Sequence, residues 1–189
     1  VNDGLSQSDV KCILKDHQGF MWFATDDGLN RYDGYNFVVY RHDPKNKSSL
    51  PANNITALFE DKTGNLWVGT STGLSLYNRN TESFTTFGPK KNDEKTISNS
   101  DINTIFQDSR NNIWIGTYSG LNLLDQKTKT FKQFFYTKNR DDILGHQIYS
   151  ITEDNKGNLW LGTGDGLVQF NYLSGYTKIY SHGALNSIS

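Results

Sequence analysis

Several residue types are scarce in this 189-residue chain, and each scarcity excludes a class of protein. The single cysteine, Cys12, excludes an internal disulfide and a metal site built from several thiolates of one chain. No apolar run is long enough to span a bilayer, so this stretch carries no membrane segment. The net charge of −1 provides no long-range attraction for nucleic acid or anionic lipid. Neither nucleic acid nor a membrane is therefore an expected partner of these residues.

What the chain does have is a repeated phrase around each of its four tryptophans. The phrases are Trp22-Phe23-Ala24-Thr25, Trp67-Val68-Gly69-Thr70, Trp114-Ile115-Gly116-Thr117 and Trp160-Leu161-Gly162-Thr163, with tryptophans 45, 47 and 46 residues apart. A repeat of that period, written in β-forming residues, indicates an array of small sheets. An array builds surfaces between its members, which favours recognition over catalysis.

The second repeat shows the physical pattern of one unit. Residues 55–60 read as a first strand, and 61–65 as a tight turn in which Asp61 accepts backbone N–H groups ahead of it. Residues 66–70 form a second strand with Trp67 and Gly69 on one face, where the glycine leaves room for a group from a neighbouring sheet. A turn at 71–73, a third strand at 74–77 and a fourth at 84–87 complete the unit.

The other repeats match this unit position by position. The turn aspartate is Asp16, Asp61, Asp108 and Asp154, and the glycine six residues after each tryptophan is Gly28, Gly73, Gly120 and Gly166. The turn glycine is replaced in the third repeat by Asn111, which also tolerates a left-handed conformation. Cys12 occupies a slot filled elsewhere by Ala57, Thr104 and Ser150, so we interpret it as a packed thiol without a catalytic role.

Four short antiparallel strands per repeat, apolar on both faces, are typical of a β-propeller blade. The predicted fold is all-β, with blades at 1–40, 41–87, 88–134 and 135–180, and residues 181–189 opening the connection to a further blade. Truncation of the first strand of blade 1 is left open. In this interpretation the four tryptophans are core residues rather than ligand platforms.

The sequence 61–77, Asp-x-x-Gly-Asn-Leu-Trp-Val-Gly-Thr-x-x-Gly-Leu-x-x-Tyr, resembles the two-component regulator propeller repeat. The loops at 49–55 and 96–102 are similar to those that open successive units of that family. The resemblance covers nearly the whole chain and implies the extracytoplasmic, periplasmic sensor of a hybrid two-component system of Bacteroidetes. In that family a histidine kinase follows a membrane helix, and the usual signal is a glycan breakdown product that regulates polysaccharide-utilisation genes.

The resemblance also implies a partial ring, because the family's propellers have seven blades and only four are present. Residues 184–189 match the loop that introduces the next blade, as at 47–50, so we expect a piece of a longer protein. No kinase motif is present, so no enzymatic activity is expected of this piece. Four blades of roughly 51° cover only about 206° of a seven-bladed ring. We therefore expect self-association, with two copies forming an eight-blade ring at about 45° per blade, and a self-closed four-bladed ring as the alternative.

Loops that vary between repeats are the candidate binding surface, since variation on a repeated scaffold can set specificity without disturbing the core. Carboxylates, amides and a stacking ring suit an oligosaccharide or another small polar signal. The candidate ligand-binding residues are Asp26, Asp27, Arg41, His42, Asn53, Asn54, Tyr118, His146, Gln147 and Asp165. For any one of them, an ordinary solvated loop residue is the competing interpretation.

Other chemistry is weakly supported. The histidines His17, His42, His146 and His182 lie in different repeats without paired ligand spacing, and Asp26-Asp27 is too small a set for calcium, so no metal or cofactor is expected. Lys90-Lys91 neighbours two acids and is interpreted as a solvated loop. The alternatives to a ligand sensor are a protein-interaction propeller and, less favoured, a propeller lyase or glycosidase.

Overall fold

The computed structural model describes residues 4–134 and 147–181, which form sixteen strands and no helix. Blade 1 contains β1 (Val10–Lys15), β2 (Met21–Thr25), β3 (Gly28–Tyr32) and β4 (Phe37–Tyr40). Blade 2 contains β5 (Ile55–Glu60), β6 (Leu66–Thr70), β7 (Gly73–Asn78) and β8 (Ser83–Phe87). Blade 3 contains β9 (Ile102–Gln107), β10 (Ile113–Thr117), β11 (Gly120–Asp125) and β12 (Thr130–Phe134). Blade 4 contains β13 (Ile148–Glu153), β14 (Leu159–Thr163), β15 (Gly166–Asn171) and β16 (Tyr176–Tyr180).

Each blade is a four-stranded antiparallel sheet whose strands follow one another in chain order. The first strands of successive blades contact one another, β1 with β5, β5 with β9 and β9 with β13, and therefore lie at the centre of the array. The predicted fold of four four-stranded propeller blades is confirmed. Blade 1 has all four of its strands.

The apolar core lies between adjacent blades rather than inside one sheet. Three clusters of buried side chains are centred on Trp22, Trp67 and Trp114, at the junctions of blades 1 and 2, 2 and 3, and 3 and 4. These three indoles are fully buried, so their interpretation as core residues is confirmed. Trp160 is only partly buried, because its face of blade 4 has no further blade against it among the described residues.

Glycine beside each inner tryptophan accepts a side chain from the next blade, as the sequence predicts. A Cβ at Gly69 would lie 2.7 Å from Cγ2 of Ile102, and a Cβ at Gly116 would lie 2.7 Å from Cγ2 of Ile148. Contacts that short cannot be relieved by moving a flexible side-chain tip, because the isoleucines are fully packed. The isoleucines that begin β9 and β13 therefore each pack into a socket that a glycine leaves on the preceding blade.

The turn aspartates form the same structure four times. In blade 1 the Asp16 carboxylate accepts the backbone N–H of Gln18 at 3.0 Å and of Phe20 at 2.9 Å, and its second oxygen accepts Nε1–H of Trp22 at 2.9 Å. The corresponding indole bonds to Asp61, Asp108 and Asp154 measure 2.9, 2.9 and 3.0 Å. Asn111 has a φ of 67°, which confirms that it replaces the turn glycine in a left-handed conformation. Each aspartate therefore both forms the turn and holds the core indole.

Candidate ligand-binding face

One end of the blades, here called the upper face, is formed by the turns at 26–27, 71–72, 118–119 and 164–165 and by the blade connections at 41–54 and 88–101. The opposite end, the lower face, carries the aspartate turns. On the upper face, the connection between blades 1 and 2 lies against the blade 1 turn, since Gly28 N–H donates to Asn53 O at 2.8 Å. The topology thus brings six of the ten predicted residues to one junction.

Asp26 is the centre of the first group at this junction. One oxygen of its carboxylate accepts hydrogen bonds from Lys11 Nζ and Asn54 Nδ2, and its backbone N–H donates to Gln7 Oε1 at 2.9 Å. The Lys11 and Asp26 side chains are each about one-third exposed, so a ligand can reach this ion pair. Asp26 and Asn54, predicted separately, are therefore partners.

Asp27 and Arg41 form a second, more open pair. The guanidinium donates from Nε at 3.2 Å and from Nη2 at 2.9 Å to the two carboxylate oxygens of Asp27. These hydrogen bonds lower the pKa of Asp27 and raise that of Arg41, so both groups are charged at neutral pH. A fork of this kind presents fixed donors and acceptors to a polar ligand.

His42 and Asn53 complete the cluster. Asn53 Oδ1 accepts the backbone N–H of His42 at 2.7 Å, and Nδ1 of His42 lies 2.7 Å from Leu50 O. Because a carbonyl oxygen only accepts, Nδ1 carries the proton. Nε2 is then the ring nitrogen available to a ligand at this face.

The other predicted residues lie on the upper face but in blades 3 and 4. Tyr118 is 53% exposed, and its backbone N–H donates to Asp101 O at 3.0 Å. Gln147 Oε1 accepts from Tyr149 OH at 2.9 Å, and Asp165 is exposed in the neighbouring turn. Among residues 4–134 and 147–181, no hydrogen bond joins these groups to the junction of blades 1 and 2, and His146 lies outside the described residues.

Sequence reasoning misses Lys11 and Gln7, which contribute directly to this cluster. Lys11 is the extra residue of a β-bulge, between Val10 and Cys12, that recurs in the first strand of each blade. The corresponding residues of blades 2 and 3, Thr56 and Asn103, donate instead to the backbone of the next blade. A lysine where other repeats carry an uncharged polar side chain is the signal that could have found it.

A groove elsewhere on the molecule was also not predicted. It has a volume of about 1570 Å³ and lies between the connection at 89–98 and strand β12. Lys90 and Lys91 are among its lining residues, together with Asp93 and Glu94. With Lys95 and Lys132 the lining holds four lysines against two acids, and none of the ten predicted ligand-binding residues lines it. The Asp26–Arg41 cluster therefore stays the candidate site.

Comparison with known proteins places this geometry in a family. Four segments of the chain match the family described as "two component regulator propeller", at 4–27, 49–72, 96–119 and 142–165. These segments make up half of the chain, and each spans one aspartate turn and its tryptophan.

The chain belongs to the two-component regulator propeller family.

Solved structures and a curated relative agree with this membership. The chain is 28% identical, with a TM-score of 0.84, to the extracellular domain of the hybrid two-component system BT3049 from B. thetaiotaomicron, over 96% of this chain and 26% of that one. It is similar in fold, at 23% identity and a TM-score of 0.72, to the extracellular domain of BT4673 from the same organism, over 96% of this chain and 25% of that one. A 48-residue stretch, 25% of this chain and 4% of the relative, is 48% identical to histidine kinase P4 of Formosa agariphila. The chain spans about a quarter of the length of these extracellular domains. The similarity to them supports a sensor role outside the cytoplasm.

Proposed function

We propose that this propeller is a non-enzymatic sensor module in the periplasmic part of a hybrid two-component system. Its upper face binds an oligosaccharide released by glycan breakdown, and the bound state alters the activity of a histidine kinase that regulates polysaccharide-utilisation genes. The family and the similarity to extracellular sensor domains support the sensor role. The oligosaccharide is inferred from the chemistry of the upper face.

The observation that carries the ligand class is the cluster at the junction of blades 1 and 2. Within a few residues it offers an ion pair at Asp26, a bidentate fork at Asp27 and Arg41, and the second ring nitrogen of His42. Hydroxyl groups of a sugar both donate and accept, so they can replace water on each of these groups. The exposed ring of Tyr118, on the same face, is a surface on which a sugar ring can stack.

Calorimetric titration of the chain with a panel of neutral and acidic oligosaccharides tests this proposal. We expect at least one sugar to bind, and Arg41→Ala to weaken that binding about tenfold or more, since hydrogen bonds from charged groups are the strong ones. The matched control is Lys62→Ala, which removes a lower-face cation that donates to Asn111 Oδ1 at 2.8 Å. Heat from no sugar in the panel, or equal losses in the two variants, would contradict the proposal and favour a protein-interaction propeller.

A further inference from the structure

The cluster at the junction of blades 1 and 2 balances its charges pair by pair. It holds two cations, Lys11 and Arg41, and two carboxylates, Asp26 and Asp27. Lys11 Nζ bonds one oxygen of Asp26, and Arg41 bonds both oxygens of Asp27, from Nε at 3.2 Å and from Nη2 at 2.9 Å. The net charge of these four side chains is zero, so together they exert no net attraction on an anion.

This balance distinguishes blade 1 from the other blades. The turn that holds its two carboxylates has none in blades 2 and 3 and one, Asp165, in blade 4. The positions of both cations are uncharged in blades 2, 3 and 4. The residues at the position of Lys11 are Thr56, Asn103 and Tyr149, and those at the position of Arg41 are Gly88, Phe135 and Ser181. Two cations thus accompany the one turn that has two acids, which indicates that the sequence specifies a neutral cluster.

Two polar groups of the cluster stay open to a ligand. Asp26 accepts from Lys11 and Asn54 at Oδ1, and within residues 4–134 and 147–181 no group donates to its Oδ2. That oxygen faces solvent, since no buried side-chain N or O atom of the described residues lacks a partner. Arg41 uses Nε and Nη2 for Asp27, and its Nη1 has no acceptor in the same part of the chain. The cluster therefore presents one free acceptor and one free donor group.

Hydroxyl groups fit this pair better than anionic groups do. A hydroxyl group both donates and accepts, so the hydroxyls of one sugar can donate to Asp26 Oδ2 and accept from Arg41 Nη1. The oxygens of an ionised carboxylate or a sulfate group only accept, so they leave Asp26 Oδ2 without a donor. They also bring negative charge to a site that already holds two carboxylates, and like charges placed together at an interface are strongly unfavourable.

Asp27 occupies the place that a ligand carboxylate would take. Its two oxygens accept from Nε and Nη2 of Arg41, which is the bidentate geometry that arginine offers to a carboxylate. An acidic sugar that takes this edge of the guanidinium must displace Asp27 and leave its charge unpaired. Because Asp27 belongs to the same chain as Arg41, it competes with the sugar at a high effective concentration.

From these contacts we infer that the upper-face site selects neutral oligosaccharides over those that carry carboxylate or sulfate groups, and that Asp27 determines this selection. The inference rests on the proposed function, because it names the class of oligosaccharide that the same site binds. The hydroxyl groups of a neutral sugar bond Asp26 and Arg41 while both ion pairs stay intact. An acidic fragment binds only at the expense of the pair between Asp27 and Arg41.

Calorimetry with matched pairs of oligosaccharides tests the selection. The members of a pair have the same length, linkage and ring stereochemistry, and they differ at C6, where one has a hydroxymethyl group and the other a carboxylate, as galactose and galacturonate units do. We expect the neutral member of at least one pair to bind about tenfold more tightly than its acidic partner, or better. Its affinity should be the same at low and high salt, since it carries no charge for salt to screen.

The outcomes separate this inference from the proposed function. An acidic member that binds as tightly as its neutral partner, or more tightly, overturns the selection and leaves the oligosaccharide sensor in place. Binding of no member of any pair overturns both.

Asp27→Asn tests the residue to which the selection is assigned. The amide keeps the shape of the side chain but removes its charge, so Arg41 becomes available to a ligand carboxylate. We expect the acidic member to bind Asp27→Asn about tenfold more tightly than it binds the wild type, with an affinity that falls as salt is added. A gain of this kind cannot come from misfolding.

Asp43→Asn is the matched control on the same blade connection. It makes the same change of charge two residues after Arg41, but Asp43 forms no ion pair among the described residues. Its Oδ1 accepts the backbone N–H of Lys45 at 2.9 Å, a bond that the amide oxygen of asparagine can keep. We expect the acidic member to bind this variant as it binds the wild type. Equal gains in the two variants, or no gain in Asp27→Asn, would overturn the role assigned to Asp27.

Discussion

The lower and upper faces of this propeller are built on opposite plans. On the lower face, four aspartates make the same bonds to the backbone and to an indole, with indole distances that agree within 0.1 Å. On the upper face, the turns after the second strands share one backbone bond, from the N–H of their second residue to the preceding threonine hydroxyl. Their side chains differ from blade to blade, as Asp26-Asp27, Ser71-Thr72, Tyr118-Ser119 and Gly164-Asp165. The repeated end stabilises the blades, and the varied end is free to specify a ligand.

The largest effect that would test this contrast is loss of a core indole. Trp67→Ala is expected to lower the free energy of unfolding by about 3–5 kcal/mol, because Trp67 is fully buried between blades 2 and 3. Trp160→Ala, on the partly exposed face of blade 4, is expected to cost less. Urea unfolding of both variants at one protein concentration checks this order. Equal losses would contradict the assignment of Trp160 to an unpaired face.

A smaller loss is expected from a turn aspartate. Asp61→Ala leaves Nε1–H of Trp67 and the backbone N–H of Asn65 without their acceptor in a buried site. We expect a cost of about 2–3 kcal/mol, since each buried donor left unsatisfied costs on the order of 1–3 kcal/mol. Asp125→Ala is the matched control, because that aspartate caps an exposed turn and holds no indole. A loss as large in the control would contradict the special role of the aspartate–indole bond.

Acid provides a third test of the lower face. Burial raises the pKa of Asp16 and Asp61, but hydrogen bonds from Trp22 and Arg79 to Asp16, and from Thr63 and Trp67 to Asp61, outweigh it and leave both pKa values lowered. Hydrogen bonds from Asn158, then from Trp160, also hold the pKa of Asp154 well below its usual range.

The unfolded chain therefore binds protons at a higher pH than the folded chain does. The stability that these carboxylates contribute is present above their unfolded pKa of about 3.9 and is lost as the pH falls below it. Thermal unfolding followed between neutral pH and strong acid should show a decline that begins near that value. Asp61→Asn should show a shallower decline, and an identical one would contradict this assignment.

The same contrast explains which parts of the structure could be predicted from the sequence. Strand positions, the turn at Asp61 and the socket at Gly69 follow from spacing and residue type, because they are local and repeat four times. The bond from Trp67 Nε1 to Asp61 was not predicted, since a distance of six residues becomes a contact only once the turn has folded. Lys11 was missed for a related reason, because its partner Asp26 is reached only through the β-bulge.

The smallest expected effect on stability belongs to the upper face, where Arg41→Ala removes the fork to Asp27. Both side chains are nearly half exposed, and exposed ion pairs contribute little to stability because water and salt screen them. We expect the midpoint of urea unfolding to stay at the wild-type value, while oligosaccharide binding falls. Measuring both properties on one preparation separates the two faces. Asp61→Ala should lower the midpoint of urea unfolding, and it should weaken oligosaccharide binding only where part of the protein has unfolded. A shift of the Arg41→Ala midpoint as large as that of Asp61→Ala would show that the fork stabilises the blades, and the ligand-binding role of this cluster would lose its main support.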